Sequence, residues 1–444
     1  MATPEVDVVV IGGGLAGLMA ARALSASGRS VRVLEARDRV GGRTWTRTAA
    51  SGVPIDFGGQ WIGPSQERVT ALAAELGIET FPTYAAGSTQ YSILETSQVE
   101  RADARAAMDE LDRMAAQVPV EAPWEADEAS AWDGQTLQSW LLGRSLDDVS
   151  RELLRVLMTG LFTMEPEELS LLHVITYIRS AGSLHQLIKV AQENRLTGGA
   201  QTLSLRMADE LGPDVVRLAS PATAIAQDDS CVRVTTDSEV ITARRAIVAV
   251  PIVLTDRISF EPPLPAARVQ LIQRFATGAA VKVHCVYPDA FWRDNGWNGR
   301  SLTGSGYVSV TFDNSPPDGS KGVLVGFIEA DKARQFIGLS DTDRRDAVVA
   351  RFVELFGERA ADPDEYLEFE WSEEEWTRGC YSANLAPGGW TRYGPALRRS
   401  TGRVHWAGSE TSTVWMGYME GALRSGERAA EEVGLALDGA SGRE

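Results

Sequence analysis

A glycine-rich turn near the N-terminus constrains the fold more than any other part of the sequence. Residues 6–11 read VDVVVI, a β-branched apolar run typical of a buried parallel strand. Gly12, Gly14 and Gly17 follow in a GxGxxG pattern and open a helical stretch rich in Ala and Leu. In such units the glycines allow a tight turn, a close backbone approach to a pyrophosphate, and close helix–strand packing. Glu35 ends the next strand, where a carboxylate accepts hydrogen bonds from ribose hydroxyls. The pattern predicts a βαβ unit that binds a dinucleotide.

Composition limits the location and the partners of the protein. With 444 residues, the chain is long enough for two domains. A formal net charge of -18 argues against nucleic acid and anionic membranes as partners. No apolar stretch approaches the ~20 residues that span a bilayer. Cys231, Cys285 and Cys380 show neither a CxxC pair nor metal-ligand spacing, which argues against disulfides and a zinc site. Because no secretory signal fits the N-terminus, we expect a soluble cytoplasmic protein without a metal.

Helical and strand patterns alternate along the rest of the chain. Helical periodicity dominates residues 101–160 and 166–195. Short alternating strands with polar turns dominate residues 213–250 and 276–330, and residues 417–434 predict an amphipathic closing helix. No repeat and no low-complexity linker occurs, so tandem independent domains are not expected.

The residues after Glu35 indicate which dinucleotide the protein binds. They read ARDRVGGRTWT and include Arg37, Gly42 and Arg43. This segment resembles the N-terminal signature of the flavin-dependent amine oxidase family, and residues 55–80 resemble that family again. In the family, the two arginines and the glycine pair line the FAD pyrophosphate, a role that suits the guanidinium group because it matches phosphate bidentately. Two surface arginines are the alternative. An NAD dehydrogenase does not need this extension, so FAD is the expected cofactor.

The C-terminal block extends the resemblance to the flavin ring. Residues 376–434 are similar to the FAD-binding block of the monoamine oxidases almost throughout. Tyr381 and Tyr418 stand where that family has two tyrosines that flank the substrate amine in front of the flavin. Two aromatic faces exclude water and attract an amine through their quadrupoles. Gly417 precedes a helix whose N-terminal dipole is expected to stabilise the reduced flavin. Either tyrosine alone is also compatible with a place in the core.

Cys380 stands next to Tyr381 in the motif RGCY. In the monoamine oxidases the matching cysteine is linked through a thioether to the 8α-methyl group of the flavin, whereas many relatives carry another residue there. The resemblance therefore implies covalent FAD through Cys380. A buried, inert thiol is the alternative.

Lys282 lies in residues 258–292, the third segment with a strong resemblance. The family's lysine at this position bonds a water that faces flavin N5. A lysine on a buried strand is costly unless it is paired or solvated, which disfavours a purely structural role. The resemblance implies that its charge assists reoxidation by O₂, because it stabilises developing superoxide.

The substrate pocket resembles the family less than the cofactor segments do. Weak alignment assigns its walls to five residues: Trp61, Leu161, Gln192, Val310 and Phe327. Val310 and Gly160 replace residues that are bulkier in some monoamine oxidases, which predicts a roomier pocket. Glu329 is placed to serve the second amino group of a diamine, but a surface carboxylate is the favoured interpretation.

The resemblance covers nearly the whole chain and implies an α/β fold. We expect a two-domain flavoprotein of the amine oxidase and GMC type, in which a Rossmann-like FAD-binding lobe is interleaved with an α+β substrate lobe. The FAD-binding lobe is predicted at 1–78, 197–271 and 374–444, and the substrate lobe at 79–196 and 272–373. The residues expected to bind the cofactor are Gly12, Gly14, Gly17, Glu35, Arg37, Gly42, Arg43, Gly59, Gln60, Trp61, Thr223, Cys380, Gly408, Glu410, Tyr418 and Met419.

The implied reaction converts a primary aromatic or alkyl amine, O₂ and water into aldehyde, ammonia and hydrogen peroxide. Lys282, Tyr381 and Tyr418 are the expected catalytic residues. The partners are then the amine and O₂, and a homodimer is compatible with the sequence. Two alternatives stay open: a diamine, polyamine or L-amino acid oxidase of the same superfamily, and a non-catalytic relative that keeps the fold as a binding scaffold.

Overall fold

A computed structural model of the chain describes residues 5–91 and 102–441. Strands and helices are mixed throughout these ranges. The strands are β1 Val6–Ile11, β2 Val31–Leu34, β3 Thr46–Thr48, β4 Pro54–Asp56, β5 Trp61–Ile62, β6 Thr80–Pro82, β7 Ser88–Tyr91, β8 Asn194–Leu196, β9 Val216–Arg217, β10 Ala222–Gln227, β11 Val232–Thr236, β12 Val240–Val248, β13 Ser259–Glu261, β14 Phe275–Thr277, β15 Ala280–Tyr287, β16 Trp297–Leu302, β17 Val310–Asp313, β18 Gly322–Glu329, β19 Glu365–Glu370, β20 Ala383–Leu385 and β21 Val404–Trp406.

The helices connect and cover these strands. They are α1 Leu15–Ala26, α2 Glu67–Glu75, α3 Ala102–Ala115, α4 Ala129–Asp133, α5 Leu137–Leu142, α6 Asp148–Phe162, α7 Leu171–Ala181, α8 Gln201–Leu211, α9 Ala266–Ile272, α10 Ala330–Phe336, α11 Asp341–Phe356, α12 Gly389–Tyr393 and α13 Met419–Ser441. Across the described ranges, no helix is both long and apolar enough to cross a membrane.

The large sheet carries the glycine-rich turn at the end of its first strand. Its order is β13-β10-β11-β12-β1-β2-β9, and β21 pairs with β12. β1 runs parallel to both of its neighbours, β2 and β12. Val8, Val9 and Val10 are fully buried, as expected for a strand that is covered on both faces. The predicted strand at residues 6–11 is confirmed.

Close packing fixes the helix that follows the turn. A Cβ atom at Gly17 would lie 1.9 Å from the carbonyl oxygen of Gly12, so a side chain there would push α1 away from β1. On its other side α1 packs against α13, where a Cβ atom at Gly426 would lie 2.3 Å from the carbonyl oxygen of Ala16. The N-terminus of α1 is therefore held at the end of β1, as the GxGxxG pattern predicts.

The second sheet carries Lys282 on a central strand. Its order is β19-β15-β18-β17-β16-β7. β15 is buried along its whole length, and Lys282 pairs with Phe327 of the antiparallel β18. Because side chains alternate along a strand, Val281 and Val283 enter the core formed with α10 and α11, whereas Lys282 points to the opposite face.

The two sheets take their strands from interleaved parts of the chain. The large sheet uses strands within residues 6–34, 216–261 and 404–406, and the second sheet uses strands within 88–91 and 280–370. Helices α3 to α7 form a separate apolar cluster. The predicted α/β class is confirmed. We propose that the domain boundaries expected from the sequence follow this division.

Candidate active site

One large cavity connects the glycine-rich turn with the second sheet. Its volume is about 1300 Å³, above the ~300–1,000 Å³ that is usual for a single ligand site. Its wall begins at Gly12, Gly14 and Glu35 and continues past Lys282 to Val310. The cavity therefore has room for a dinucleotide together with a small substrate.

The glycines at one end form an open cradle. Gly12 has a φ of +107°, and a Cβ atom there would lie 2.9 Å from the carbonyl oxygen of Ala249. A Cβ atom at Gly14 would meet only the Cα atom of Gly42, at 3.9 Å. The N-terminus of α1 lies beside this space, and free N–H groups at a helix N-terminus bind phosphate. Gly17 does not line the cavity, because its role is in helix packing.

Glu35 is positioned by backbone donors at the end of β2. Its Oε2 atom accepts a hydrogen bond from the Gly13 N–H at 2.6 Å, and its Oε1 atom accepts one from the Arg37 N–H at 3.0 Å. An ionised carboxylate offers about four acceptor positions. Glu35 lines the cavity and keeps acceptor capacity for the ribose hydroxyls.

The two arginines predicted to face the diphosphate form ion pairs with carboxylates of the protein. Arg37 donates from Nε to Glu374 Oε1 at 3.1 Å. Arg43 donates from Nη1 to Glu410 Oε1 at 2.6 Å and from Nη2 to Glu410 Oε2 at 3.1 Å. Both arginines also line the cavity. A buried guanidinium needs a counter-charge, and here it comes from residues more than 300 positions away in the sequence.

Glu410 does not lie on the cavity wall, unlike the position expected from the sequence. It accepts hydrogen bonds from Arg43, which itself lines the cavity, and another from the Ala383 N–H at 3.1 Å. Burial opposes the ionisation of Glu410, but Arg43 and this N–H outweigh burial and lower its pKa to about 2. Glu410 is thus an ionised partner of Arg43.

Most of the remaining residues expected around the cofactor line the cavity, and one does not. Those on the wall are Gly42, Gly59, Gln60, Trp61, Cys380, Gly408, Tyr418 and Met419. Thr223 is exposed, and its hydroxyl donates to the carbonyl of Thr235 at 3.2 Å. Its neighbours Pro221 and Ala222 line the cavity instead. The assignment of Thr223 is therefore wrong by one residue, because alternate residues of β10 face opposite sides.

Lys282 is a buried amine whose pKa lies close to neutral pH. Its Nζ atom donates to the carbonyl of Gly58 at 3.0 Å and to Gln60 Oε1. The same atom lies 5.4 Å from the ring centroids of both Trp61 and Phe327. Burial lowers its pKa to about 7, although the charge of Asp56 opposes this shift. Burial thus weakens the preference of Lys282 for its charged form.

The two predicted cage tyrosines both line the cavity. The Tyr381 ring meets the Phe327 ring edge-on at 6.2 Å, and its hydroxyl donates to Glu329 Oε1 at 3.2 Å. The Tyr418 ring packs against Trp415 at 4.8 Å and Tyr177 at 5.9 Å. Burial raises the pKa of both phenols, so both stay neutral.

Cys380 lines the cavity as a thiol. Its side chain packs in a small cluster with Ala280 and Trp371, and its backbone carbonyl accepts a hydrogen bond from the Thr163 hydroxyl. Burial raises the pKa of the thiol to about 12, and the nearby charge of Arg43 lowers it only in part. The sulfur is therefore protonated at neutral pH in this structure.

The far end of the cavity contains all five residues of the expected substrate pocket. These are Trp61, Leu161, Gln192, Val310 and Phe327. The Trp61 ring packs on Phe312 at 4.7 Å and on Phe327 at 5.7 Å. The wall is thus largely aromatic and aliphatic.

Two further residues of this wall are not where the sequence predicts them. Glu329 was expected at the surface, which is wrong: it ends β18, lines the cavity and is only 3% exposed. The alternating burial of β18 is absent because the strand is covered on both sides. Tyr177 also lines the cavity. In the sequence, Tyr177 can be recognised only as a residue on the buried face of a predicted helix, and nothing there indicates that it lines a cavity.

Comparisons with known proteins agree with this arrangement. The family model described as flavin containing amine oxidoreductase matches residues 15–434. The chain belongs to this family. It is 40% identical to a putative flavin-containing monoamine oxidase of Mycobacterium tuberculosis over 97% of both chains. It is 37% identical to a putrescine oxidase of Kocuria rosea, with 97% of this chain and 95% of the relative covered. The solved structure of cyclohexylamine oxidase from Brevibacterium oxydans superposes with a TM-score of 0.94 at 33% identity, covering 98% and 100% of the two chains.

As a member of the flavin-containing amine oxidoreductases, the chain is an enzyme that oxidises amines with a flavin. The predicted family, fold and enzyme class are confirmed, and the non-catalytic scaffold is not supported. The described residues fit FAD, because the Gly14–Gly42 cradle is open and Glu35 keeps acceptor capacity. Within those same ranges, no group of three or more His, Cys, Asp and Glu residues is arranged to hold a metal.

Proposed function

We propose that the protein oxidises primary amines with an aromatic or alkyl tail. One amine, one O₂ and one water give one aldehyde, one ammonia and one hydrogen peroxide. The observation that carries this proposal is that the glycine cradle, Lys282, Tyr381 and Tyr418 share one cavity. FAD, when bound, supplies the two-electron oxidation of the amine carbon and the transfer of those electrons to O₂.

The chain's own residues bind and orient the amine in this proposal. Tyr381 and Tyr418 present neutral aromatic faces, which attract an amine and exclude water from it. Trp61 and Phe327 continue this apolar surface along the substrate tail. The oxidised substrate is an imine, which water hydrolyses to aldehyde and ammonia after release. This step needs no acid or base from the protein.

Lys282 is proposed to act on the O₂ half of the reaction. Its amine is held in place by the Gly58 carbonyl and Gln60, and Gln60 is itself fixed by a 2.7 Å hydrogen bond from Nε2 to Asn314 Oδ1. A positioned ammonium stabilises the negative charge that develops on O₂ during its reduction. The near-neutral pKa of Lys282 makes this contribution dependent on pH.

Cys380 is proposed to attach FAD covalently through its sulfur. A C–S bond to the 8α-methyl group would replace the thiol S–H bond and one methyl C–H bond, and the two electrons released would reduce the flavin, which O₂ would reoxidise. Support comes from its motif, its place on the cavity wall and the nearby positive charge of Arg43. Burial works against this proposal, because it keeps the thiol protonated before FAD binds. The amine oxidase assignment does not depend on the link.

We further propose a cytoplasmic location. Cys231, Cys285 and Cys380 are buried and free, as is usual in a reducing compartment. A homodimer is a separate proposal, which size-exclusion chromatography with light scattering tests directly.

The substrate class is tested with a panel of amines and coupled detection of peroxide. Benzylamine, 1-aminobutane, 1,4-diaminobutane and several L-amino acids are compared at equal concentration. We expect the purified protein to be yellow, to be bleached anaerobically by amines, and to turn amines over faster than amino acids, because the wall is largely apolar. Faster turnover of an L-amino acid than of every simple amine would show that the proposed substrate class is wrong.

A further inference from the structure

Arg300 brings an unpaired positive charge to the wall of the large cavity. It lies on β16, lines the cavity and is half-buried. Its guanidinium group lies over the Phe312 ring, with Cζ 4.9 Å from the ring centroid. Among the described residues, its N–H groups have neither a hydrogen-bond acceptor nor an ion-pair partner. Arg43, at the other end of the cavity, is by contrast paired with Glu410.

The carboxylates of the cavity wall do not offset the charge of Arg300. Burial lowers the pKa of its guanidinium, and the Tyr91 phenol alone opposes this shift. The other ionisable residues on the substrate side of the wall are Arg105, Asp109, Asp112, His185, Lys189 and Glu329. None of their three carboxylates affects the pKa of Arg300. A half-buried guanidinium stays charged and favours an anion as its partner.

Thr89 and Tyr91 add hydroxyl groups to the wall near Arg300. Both line the cavity and lie on β7, which pairs in parallel with β16. Thr89 Oγ1 accepts a hydrogen bond from Asn298 Nδ2 at 3.1 Å. Within the described residues, the hydroxyl proton of Thr89 has no acceptor, so it is available to a ligand. A guanidinium and a hydroxyl donor together suit the two oxygens of a carboxylate.

A row of aromatic rings connects Arg300 with the reacting end of the cavity. Tyr381, which flanks the amine in the proposed reaction, meets Phe327 edge-on at 6.2 Å. Phe327 in turn meets Phe312 at 6.1 Å, and Arg300 lies over Phe312. Two rings therefore separate the cage tyrosine from the guanidinium. The carboxylate of an α-amino acid is too close to its amine for this span, whereas an acid group at the end of an alkyl tail can reach Arg300.

We propose that Arg300 binds an anionic group at the far end of the substrate, so that the enzyme prefers amines with a terminal carboxylate to amines with an uncharged tail. This inference rests on the proposed amine oxidation and specifies the tail of its substrate. The guanidinium donates to both carboxylate oxygens, and the Thr89 hydroxyl donates a further hydrogen bond. The methylene chain lies along Phe312 and Phe327. The same cation disfavours a second ammonium group, because like charges repel.

Substrates matched in length test the proposal in the holoenzyme. We compare kcat/KM for ω-amino carboxylates, n-alkylamines and α,ω-diamines of six, eight and ten carbons in wild type and Arg300 variants. A hydrogen bond to a charged group is worth roughly 10- to 100-fold in binding. Because Arg300 is half-buried, we expect the wild type to favour the carboxylate over the alkylamine by about 10-fold at the best length. Arg300→Gln should abolish this preference, and Arg300→Glu should favour the diamine.

Arg345→Gln is the matched control, because Arg345 is exposed on α11, pairs with Asp346 and loses the same charge. It should leave all three substrate classes unchanged. Salt supplies an independent signature, since screening at 1 M acts over ~3 Å. The carboxylate preference of the wild type should decline as salt is added, whereas Arg300→Gln should show no such decline.

Binding of octanoate gives a readout that does not need turnover. Octanoate carries the acid group without a reacting amine, and isothermal titration calorimetry measures its affinity. We expect about 10-fold weaker binding in Arg300→Gln and no change in Arg345→Gln. If Arg300→Gln does not fold, Arg300→Lys keeps the charge without the bidentate fork and should retain part of the preference. If neither variant folds, the order of the three substrate classes in the wild type decides.

Two outcomes would overturn the proposal. The first is a wild type that turns over alkylamines or diamines at least as well as the carboxylates at every length. The second is an equal loss with all three substrate classes in Arg300→Gln, which would indicate a structural role. Either result leaves amine oxidation intact and removes only the role of Arg300. Absence of peroxide with every amine, together with octanoate binding that depends on Arg300, would instead reject the proposed function and retain the anion site.

Discussion

Replacing Lys282 with Met removes one positive charge and two hydrogen bonds from the cavity. The lost bonds are those from Nζ to the Gly58 carbonyl and to Gln60. Loss of one preorganised donor at a site of developing charge costs about 10²- to 10³-fold in rate, or about 2.7–4 kcal/mol. We therefore expect the rate constant for reoxidation by O₂ to fall about 100-fold. Reduction by the amine should change by less than about threefold, equivalent to ~0.65 kcal/mol.

Stopped-flow spectroscopy measures the two half-reactions separately. The first experiment mixes oxidised enzyme with amine anaerobically, and the second mixes reduced enzyme with O₂. The pH dependence supplies an independent signature. Because the pKa of Lys282 is about 7, its ammonium form is lost as pH rises through 7, and the wild-type reoxidation rate should fall over the same range. The Met variant should not show this dependence.

Lys321→Met is the matched control for this experiment, since Lys321 forms a surface ion pair with Asp364. It should leave both half-reactions unchanged. Equal slowing of reduction and reoxidation in Lys282→Met would contradict the reasoning, because it would indicate that the lysine only maintains the shape of the cavity.

Two further predictions concern the cofactor. If Cys380 carries FAD, acid precipitation of the wild type leaves the yellow colour in the pellet, whereas Cys380→Ala releases the colour into the supernatant. Cys285→Ala, on the opposite side of the second sheet, is the control and keeps the colour in the pellet. Yellow colour in the wild-type supernatant would refute the link. Gly14→Val should purify without FAD and unfold at the Tm of FAD-free wild type, because its side chain fills the cradle without meeting protein atoms closer than 3.9 Å at Cβ and only the stabilisation by bound FAD is lost. Gly434→Val on open α13 surface is its control, and a yellow Gly14→Val protein would contradict the cradle.

The cofactor end of the site could be predicted from sequence because its signal is local. Gly12, Gly14 and Gly17 serve three different purposes within six positions, and the flanking strand and helix show them in context. Glu35 follows from the same unit. Such a pattern is set by one turn of backbone and does not depend on distant parts of the chain.

The electrostatics of the site depend on distant residues and could not be predicted in the same way. Arg37 and Arg43 are neutralised by Glu374 and Glu410, which lie 337 and 367 positions away. Glu329 stands before a polar helix, so its sequence surroundings indicate a surface residue although β18 is fully covered. The position of Thr223 shows that predictions for strand residues are sensitive to small errors in alignment, because a shift of one residue moves a side chain to the other face.

The contact between α1 and α13 joins parts of the chain that are made at opposite ends of synthesis. Leu15 and Leu18 of α1 share one apolar cluster with Leu423 and Val433 of α13. At ~5–20 residues per second, the ribosome completes α13 roughly 20–80 s after α1. During that interval the apolar side of α1 lacks its final cover. Met419, at the start of α13, also lines the cavity, so the flavin pocket is completed only when nearly the whole chain has been made.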